Sequence, residues 1–211
     1  RKSLKLLRNT RAIISDAIVT RILSKRTVID SVCYVNLNRC YKTLRNKCDY
    51  LAKLGALRNL QFLNLNYLKL EDSLVGILAL ALVSSNCKIR TLKLKNNKIT
   101  NKGALGISYI VKSKIETLTE LDLSGNLIGD DGIIKILQVF KPTDPSTMHL
   151  KNLFLSGNNI TGVSIKFLMP ILESPYCSLK VMYLMKNKLR SVGCKFLAQS
   201  LKKNSVLSML G

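Results

Sequence analysis

The sequence predicts an α/β solenoid, in which short parallel strands form a concave sheet and helices cover the convex side. A template of the form Leu-x-x-Leu-x-Leu-x-x-Asn-x-Ile occupies residues 118–128, and related segments start 28 to 32 residues apart along the chain. Between these segments, apolar residues follow helical spacing, as at Ile133, Ile136, Leu137 and Phe140. The repeating unit is therefore a strand, a turn and a helix.

The strand of each unit is recognised by its alternation of apolar residues. Leu121 and Leu123 flank a polar residue, which is typical of a strand with one buried face, and the amide of Asn126 can bond backbone groups in the following turn. One unit cannot bury its own leucines, so the units must stack to close a core. The copies, of which the first two are weak and the last is cut short, start at Val32, Leu60, Ile89, Leu118, Leu150, Leu179 and Leu207.

Helices are predicted in the stretches that separate the strands. In the two weak units they span residues 43–54 and 71–84, and the apolar run Val75–Val83 is interpreted as a buried helix face. A later helix over residues 165–173 contains Pro170, which should kink or break it. Residues 141–149 include two prolines and are predicted to form a surface loop, either a tolerated insertion or a contact loop.

These units resemble the leucine-rich repeat family, in its long-repeat, ribonuclease-inhibitor-like class. The resemblance rests on the copies that start at Ile89, Leu118, Leu150 and Leu179, and it extends over residues 32–211. It implies a horseshoe of about six repeats and a truncated seventh. It also implies a parallel concave sheet, convex helices and a protein partner on the concave face.

Residues 1–31 lack the template and are predicted to form a basic helical cap ahead of the repeats. Their arginine-rich, acid-poor character also suits an amphipathic mitochondrial targeting peptide, which is the alternative. The chain starts without Met and ends inside a template, so we expect it to be a piece of a longer protein. The basic patch of this segment comprises Arg1, Lys2, Lys5, Arg8, Arg11, Arg21, Lys25 and Arg26.

The net charge of the chain is strongly positive. It carries 34 Lys and Arg against 12 Asp and Glu, a formal charge of +22. Residues 1–54 hold 13 basic and 3 acidic residues, so the basic density is highest toward the N-terminus. A field of this sign favours acidic partners, such as RNA or an acidic protein surface like that of tubulin.

The sequence predicts a non-enzyme with no catalytic, cofactor or metal site and no small-molecule substrate. Its only histidine, His149, lies close to the prolines of the 141–149 loop, and no phosphate-binding loop or His-Glu-x-x-His motif is present. The six cysteines form no Cys-x-x-Cys pair, and most are predicted to be small buried thiols in a reducing compartment. No apolar run is long enough to span a bilayer, so we expect a soluble, cytoplasmic protein.

The residues between the strand leucines are the candidate partner-binding residues, because they point into the horseshoe. They are polar toward the N-terminus, charged in the middle and apolar or aromatic toward the C-terminus. Exposed aromatic and Met side chains on a rigid sheet are typical interface anchors, although a terminal segment that covers them is an equal alternative. The candidates are Phe62, Lys93, Lys95, Asp122, Phe154, Tyr183 and Met185.

Three functions are compatible with these features. The first is a protein-interaction scaffold in a large assembly, such as a ciliary or cytoskeletal complex, which its basic surface steers to an acidic partner. The second is an RNA-associated accessory protein of a ribosome or another ribonucleoprotein. The third is a GTPase-activating regulator, since residues 121–132 are similar to the repeat framework of the Ran activator; no residue can be assigned a catalytic role from that similarity.

Overall fold

The computed structural model describes residues 32–40 and 46–211. The predicted cap of residues 1–31 and its basic patch lie outside the described residues. Within them, short strands alternate with helices along the chain. The strands are β1 (Tyr34–Asn36), β2 (Phe62–Asn64), β3 (Thr91–Lys93), β4 (Glu120–Asp122), β5 (Asn152–Phe154), β6 (Val181–Tyr183) and β7 (Met209–Leu210). The helices are α1 (Lys47–Lys53), α2 (Asp72–Ser84), α3 (Asn101–Ser113), α4 (Asp130–Leu137), α5 (Gly162–Leu172) and α6 (Arg190–Leu201).

The strands form one parallel sheet in chain order, so each repeat lies beside the next. Their central residues face one another across the sheet and are, in order, Val35, Leu63, Leu92, Leu121, Leu153, Met182 and Leu210. Leu63, Leu92 and Leu121 are fully buried, and each helix packs against the helix of the next repeat. This arrangement confirms the predicted solenoid. Among the described residues, no helix has the length and apolar character needed to cross a membrane.

The turns of the later repeats are linked by a ladder of asparagines, most of which are buried. The side-chain amide of Asn126 donates to the carbonyl of Leu123 at 2.8 Å, which lies before it and not in the following turn as predicted. It also reaches the preceding repeat, donating to the carbonyl of Leu94 at 3.0 Å and accepting from the amide of Ile99 at 3.3 Å. The same bonds into the preceding repeat are made by Asn97, Asn158 and Asn187. Neighbouring repeats are therefore joined through side chains as well as through the sheet.

In each described repeat that contains the full turn, the residue just before the ladder asparagine, or before the Cys40 or Leu68 that replaces it, has a left-handed backbone. Only two of the six are glycine, the residue that adopts this conformation without steric cost. The six residues and their φ angles are Arg39 (61°), Tyr67 (58°), Asn96 (52°), Gly125 (67°), Gly157 (68°) and Lys186 (57°). The turn conformation is thus imposed by stacking and not by local sequence preference alone.

Several helices start with a polar residue that organises the start of the next helix. Asp72 accepts hydrogen bonds from the amide and the hydroxyl of Thr100, the N-cap of α3, at 2.8 and 2.6 Å. Asn101 accepts from the amide of Gly129 at 2.7 Å, and Asp130 accepts from Thr161, the N-cap of α5. These side chains form a second ladder, along the edge where the turns enter the helices.

The structure corrects several details of the predicted helices. The run Val75–Val83 is not a single buried face: Leu78 and Leu82 are buried, but Leu80 is 76% exposed. A helix that is apolar all round gives no indication of which face turns inward. Helix α5 runs through Pro170 to Leu172, so the predicted break is absent. Residues 145–147 form a short 3-10 helix within the predicted surface loop.

Burial of the cysteines also differs from the prediction. Only Cys87 and Cys177 are buried, whereas Cys33, Cys48 and Cys194 are exposed. The prediction that most of them are buried thiols is therefore wrong. The small, moderately apolar side chain of Cys is compatible with either environment, so residue type alone did not decide it.

Candidate binding face

The sheet face that points away from the helices, which we call the open sheet face, presents two rows of side chains. They alternate with the buried central residues, and the in-register pairing aligns them across the sheet. The first row is Tyr34, Phe62, Thr91, Glu120, Asn152, Val181 and Met209. The second row is Asn36, Asn64, Lys93, Asp122, Phe154 and Tyr183. All of the predicted partner-binding residues lie in these rows except Lys95 and Met185, which lie two residues beyond the ends of β3 and β6.

An aromatic pair marks the N-terminal end of the first row. The rings of Tyr34 and Phe62, on adjacent strands, stack with their centroids 4.1 Å apart and their planes 5° from parallel. The ammonium of Lys93 lies 5.8 Å from the centroid of Phe62, within the range of a cation–π contact. Phe62 is half-buried by these neighbours and not fully available to a partner.

The middle of the face is charged, and part of its charge is paired. Lys93 and Glu120, on adjacent strands, form an ion pair with 2.7 Å between Nζ and Oε1, as their opposite signs suggested. Asp122 accepts a hydrogen bond from the backbone amide of Ser124 at 3.0 Å. The side chains of Lys93, Glu120 and Asp122 are partly exposed. A partner therefore meets a region of mixed charge here.

A second aromatic group lies at the C-terminal end, and we call Phe154, Tyr183 and Met209 the C-terminal cluster. The ring edge of one aromatic meets the face of the other, with the centroids of Phe154 and Tyr183 5.3 Å apart at an angle of 69°. The hydroxyl of Tyr183 donates to Sδ of Met209 at 2.8 Å. Met185, beside the cluster, is 55% exposed. These contacts fix the rings in place while leaving an apolar surface accessible to solvent.

The structure brings some predicted residues together and keeps others apart. Phe154 and Tyr183 are in contact, but Phe62 lies three strands away from Phe154, roughly 14 Å at the usual strand spacing. Sequence reasoning did not include Tyr34 or Met209 among its candidates. Tyr34 could have been found, since it holds the same template position as Phe62. Met209 belongs to the shortened last copy, where too little of the template remains to identify a concave residue.

Two asparagines that appeared to offer polar groups to a partner are used internally. Asn64 accepts from the amide of Asn66 at 3.0 Å, and Asn66 accepts from the amide of Lys95 at 2.7 Å. Both side chains are buried. The N-terminal half of the face is therefore less polar toward a partner than its sequence suggests. In residues 32–40 and 46–211, no three His, Cys, Asp or Glu side chains are grouped as a metal site would require.

The sequence matches family models described as Leucine Rich repeat, at residues 85–108 and 114–137, and as Leucine Rich Repeat, at residues 149–170. It is 30% identical to the ribonuclease inhibitor of Sus scrofa over 82% of this chain and 38% of that protein. Its identity to the ribonuclease inhibitor of Mus musculus is 31%, over 90% of this chain and 40% of that protein. The human NACHT, LRR and PYD domains-containing protein 5 is 27% identical, over 72% of this chain and 15% of its own length.

These relatives are considerably longer than the chain, which spans 15% to 40% of their lengths. Among solved structures, that of Leiomodin-1 Actin-Binding Site 2 has a TM-score of 0.45 and 16% sequence identity. That similarity covers 80% of this chain and 78% of the leiomodin chain.

Proposed function

Because the chain is a leucine-rich-repeat protein of the ribonuclease-inhibitor-like class, we propose that it is a non-enzymatic interaction module whose open sheet face binds a protein partner. Two relatives are named as inhibitors of another protein, a function that rests on binding. The same fold supports many functions, so the proposal depends on the surface of this chain.

The observation that carries the proposal is the C-terminal cluster. Aromatic and Met side chains are enriched at protein interfaces, and Tyr is enriched among the residues that dominate binding energy. Phe154 and Tyr183 are held by their mutual contact and by the bond to Met209, so little side-chain freedom remains to be lost on binding. Exposed Met185 extends the apolar surface, and the charged middle of the face supplies a polar rim.

The basic character of the chain supports an acidic partner. A charge of +22 raises the rate of encounter with an acidic surface and makes that rate sensitive to salt. A cytoskeletal or ciliary assembly and the cytoplasmic location remain predictions from the sequence. RNA association is the alternative that the experiments below separate from protein binding, and GTPase activation is a minor alternative.

The test is affinity capture from a cell extract, with and without ribonuclease treatment, followed by quantitative mass spectrometry. The wild type is compared with Phe154→Ala/Tyr183→Ala, and Tyr176→Ala serves as a control because Tyr176 is an exposed aromatic outside the sheet. We expect to capture a protein partner whose recovery is unchanged by nuclease treatment and by Tyr176→Ala. Its recovery should fall about tenfold or more with Phe154→Ala/Tyr183→Ala. Circular dichroism verifies that all three proteins are folded.

A salt titration separates protein binding from RNA binding. Affinity for polymerised tubulin, an acidic protein surface, and for a mixed RNA pool is measured between about 50 and 200 mM salt. Protein binding through the open sheet face predicts a dependence on Phe154 and Tyr183. If RNA binds more tightly, loses affinity steeply with salt and ignores the aromatic changes, the interaction-module proposal is wrong.

A further inference from the structure

A groove of about 680 Å³ lies between helices α5 and α6, on the side of the solenoid opposite the open sheet face. The two helices approach closely at their starts because glycines meet there. A Cβ atom added to Gly193 would lie 3.2 Å from Cα of Gly162, so a larger residue at either position would push the helices apart. Beyond this contact the helices leave a recess between them.

The walls of the recess carry apolar side chains from both helices. Val163 and Phe167, one turn apart on α5, face Val192 and Phe196, one turn apart on α6. Val163 is 56% exposed and Val192 55% exposed, so these two side chains are not part of the core, whereas Phe196 is partly buried against it. Exposed apolar side chains that line a groove offer a surface that a partner can bury.

Cationic side chains complete the lining. Lys166, Lys188 and Arg190 line the groove, and none of the described Asp or Glu residues does. Arg190 also has a left-handed backbone, with φ of 53°.

A second groove, between α2 and α3, shows that this combination is not general in the solenoid. It has a volume of about 850 Å³ and is lined by apolar residues that include Leu80, Leu105 and Tyr109. Within the part of the chain that the structure describes, Lys112 is the single charged residue in its lining. The two grooves therefore share an apolar character, and the three cations distinguish the α5–α6 groove.

We infer that the α5–α6 groove binds an acidic amphipathic helix of a partner protein. The apolar face of such a helix would pack between the two i, i+4 pairs, in the manner of a third helix laid into the groove between two others. Its carboxylates would pair with Lys166, Lys188 and Arg190 at the rim. This site is separate from the open sheet face and does not depend on the function proposed for that face.

Charge and shape distinguish this occupant from two others. A second copy of the chain would bring a net charge of +22 and the same three cations against the groove, which is unfavourable. An anionic bilayer would contact protruding side chains, whereas the apolar side chains here form the walls of a recess that a single segment can fill.

The experiment selects helical peptides from a displayed library with randomised surface positions, using the whole chain as bait. Enriched peptides are labelled with fluorescein and their affinities are measured by anisotropy. We expect enrichment of helices with one apolar face and flanking Glu or Asp. Binding should weaken about tenfold or more in Lys166→Glu/Lys188→Glu and in Val163→Ser/Val192→Ser.

The control variant Lys102→Glu/Lys112→Glu makes the same change in net charge on helix α3, away from the groove, and should bind like the wild type. The proposal is overturned if no peptide is enriched, if neutral or basic peptides dominate, or if both charge-reversed proteins bind equally. It is also overturned if sedimentation shows self-association that Val163→Ser/Val192→Ser abolishes. Binding to phosphatidylserine vesicles that the groove variants abolish would likewise reject a peptide ligand.

Discussion

Asp130, the first residue of helix α4, holds Thr161, the residue that caps helix α5 in the next repeat. One carboxylate oxygen accepts from the backbone amide of Thr161 at 2.9 Å, and the other accepts from its hydroxyl at 2.6 Å. The hydroxyl of Ser164 donates to the same carboxylate. A single side chain thus sets where the following helix begins, in the way that Asp72 does for Thr100 two repeats earlier.

Replacing Asp130 by alanine should lower the free energy of unfolding by about 1–2 kcal/mol, because hydrogen bonds to a charged group at a helix start are lost. Urea unfolding monitored by circular dichroism measures the change. Asp131→Ala is the matched control, since Asp131 lies in the same first helical turn and is exposed. Equal losses in the two variants would show that the helix dipole, and not the bonds to Thr161, accounts for the effect.

The contribution of Asp130 should depend on pH. Burial raises the pKa of Asp130, but hydrogen bonds from Ser164 and Thr161 outweigh it, and the pKa lies below its usual value. A carboxyl whose folded pKa is depressed stabilises the fold fully above its unfolded pKa, near 3.9, and loses that contribution as pH falls through the folded pKa. The difference in unfolding free energy between wild type and Asp130→Asn should therefore shrink as the pH is lowered from 7 toward about 3. A difference that stays constant over this range would contradict the prediction.

Removing the amide of Asn126 should be more costly. Asn126→Ala leaves the buried amide of Ile99 and the carbonyls of Leu94 and Leu123 without these partners, and we expect a loss of about 2–4 kcal/mol. Asn159, which is exposed, provides the control Asn159→Ala, with an expected change within about 0.5 kcal/mol. Denaturant unfolding measures both changes. Equally small losses in Asn126→Ala and Asn159→Ala would show that the hydrogen bonds of Asn126 do not stabilise the stack.

The solenoid and its register were predictable because the spacing of Leu121, Leu123 and Asn126 is a local pattern that recurs. The bonds from Asn126 into the preceding repeat were not predicted, since they depend on how stacked turns approach one another. The exposure of Leu80 was missed because its helix is apolar on every side. At the candidate face, alternation alone located Phe154 and Tyr183, but their contact with Met209 required the geometry of the last strand.

The exposed cysteines give a direct test of the side-chain environment. Cys33, Cys48 and Cys194 should react rapidly with a chromogenic thiol reagent under native conditions, whereas Cys87 and Cys177 should react only after unfolding. Cys194→Ser should remove one rapidly reacting equivalent. Peptide mapping that finds Cys87 modified as fast as Cys194 in the folded protein would contradict the burial described here.

The left-handed turn position described above has a consequence for how the array comes apart. The first three described repeats place Arg39, Tyr67 and Asn96 there, the next two place glycine, and the sixth places Lys186. Conformational strain is therefore unevenly distributed along the stack and lowest in the two glycine repeats. In a linear array whose units contact only their neighbours, such a gradient sets the order of local opening. We expect amide hydrogen exchange to be fastest in the N-terminal repeats and slowest around β4 and β5. Local unfolding should therefore begin in the N-terminal repeats and proceed toward the middle of the solenoid.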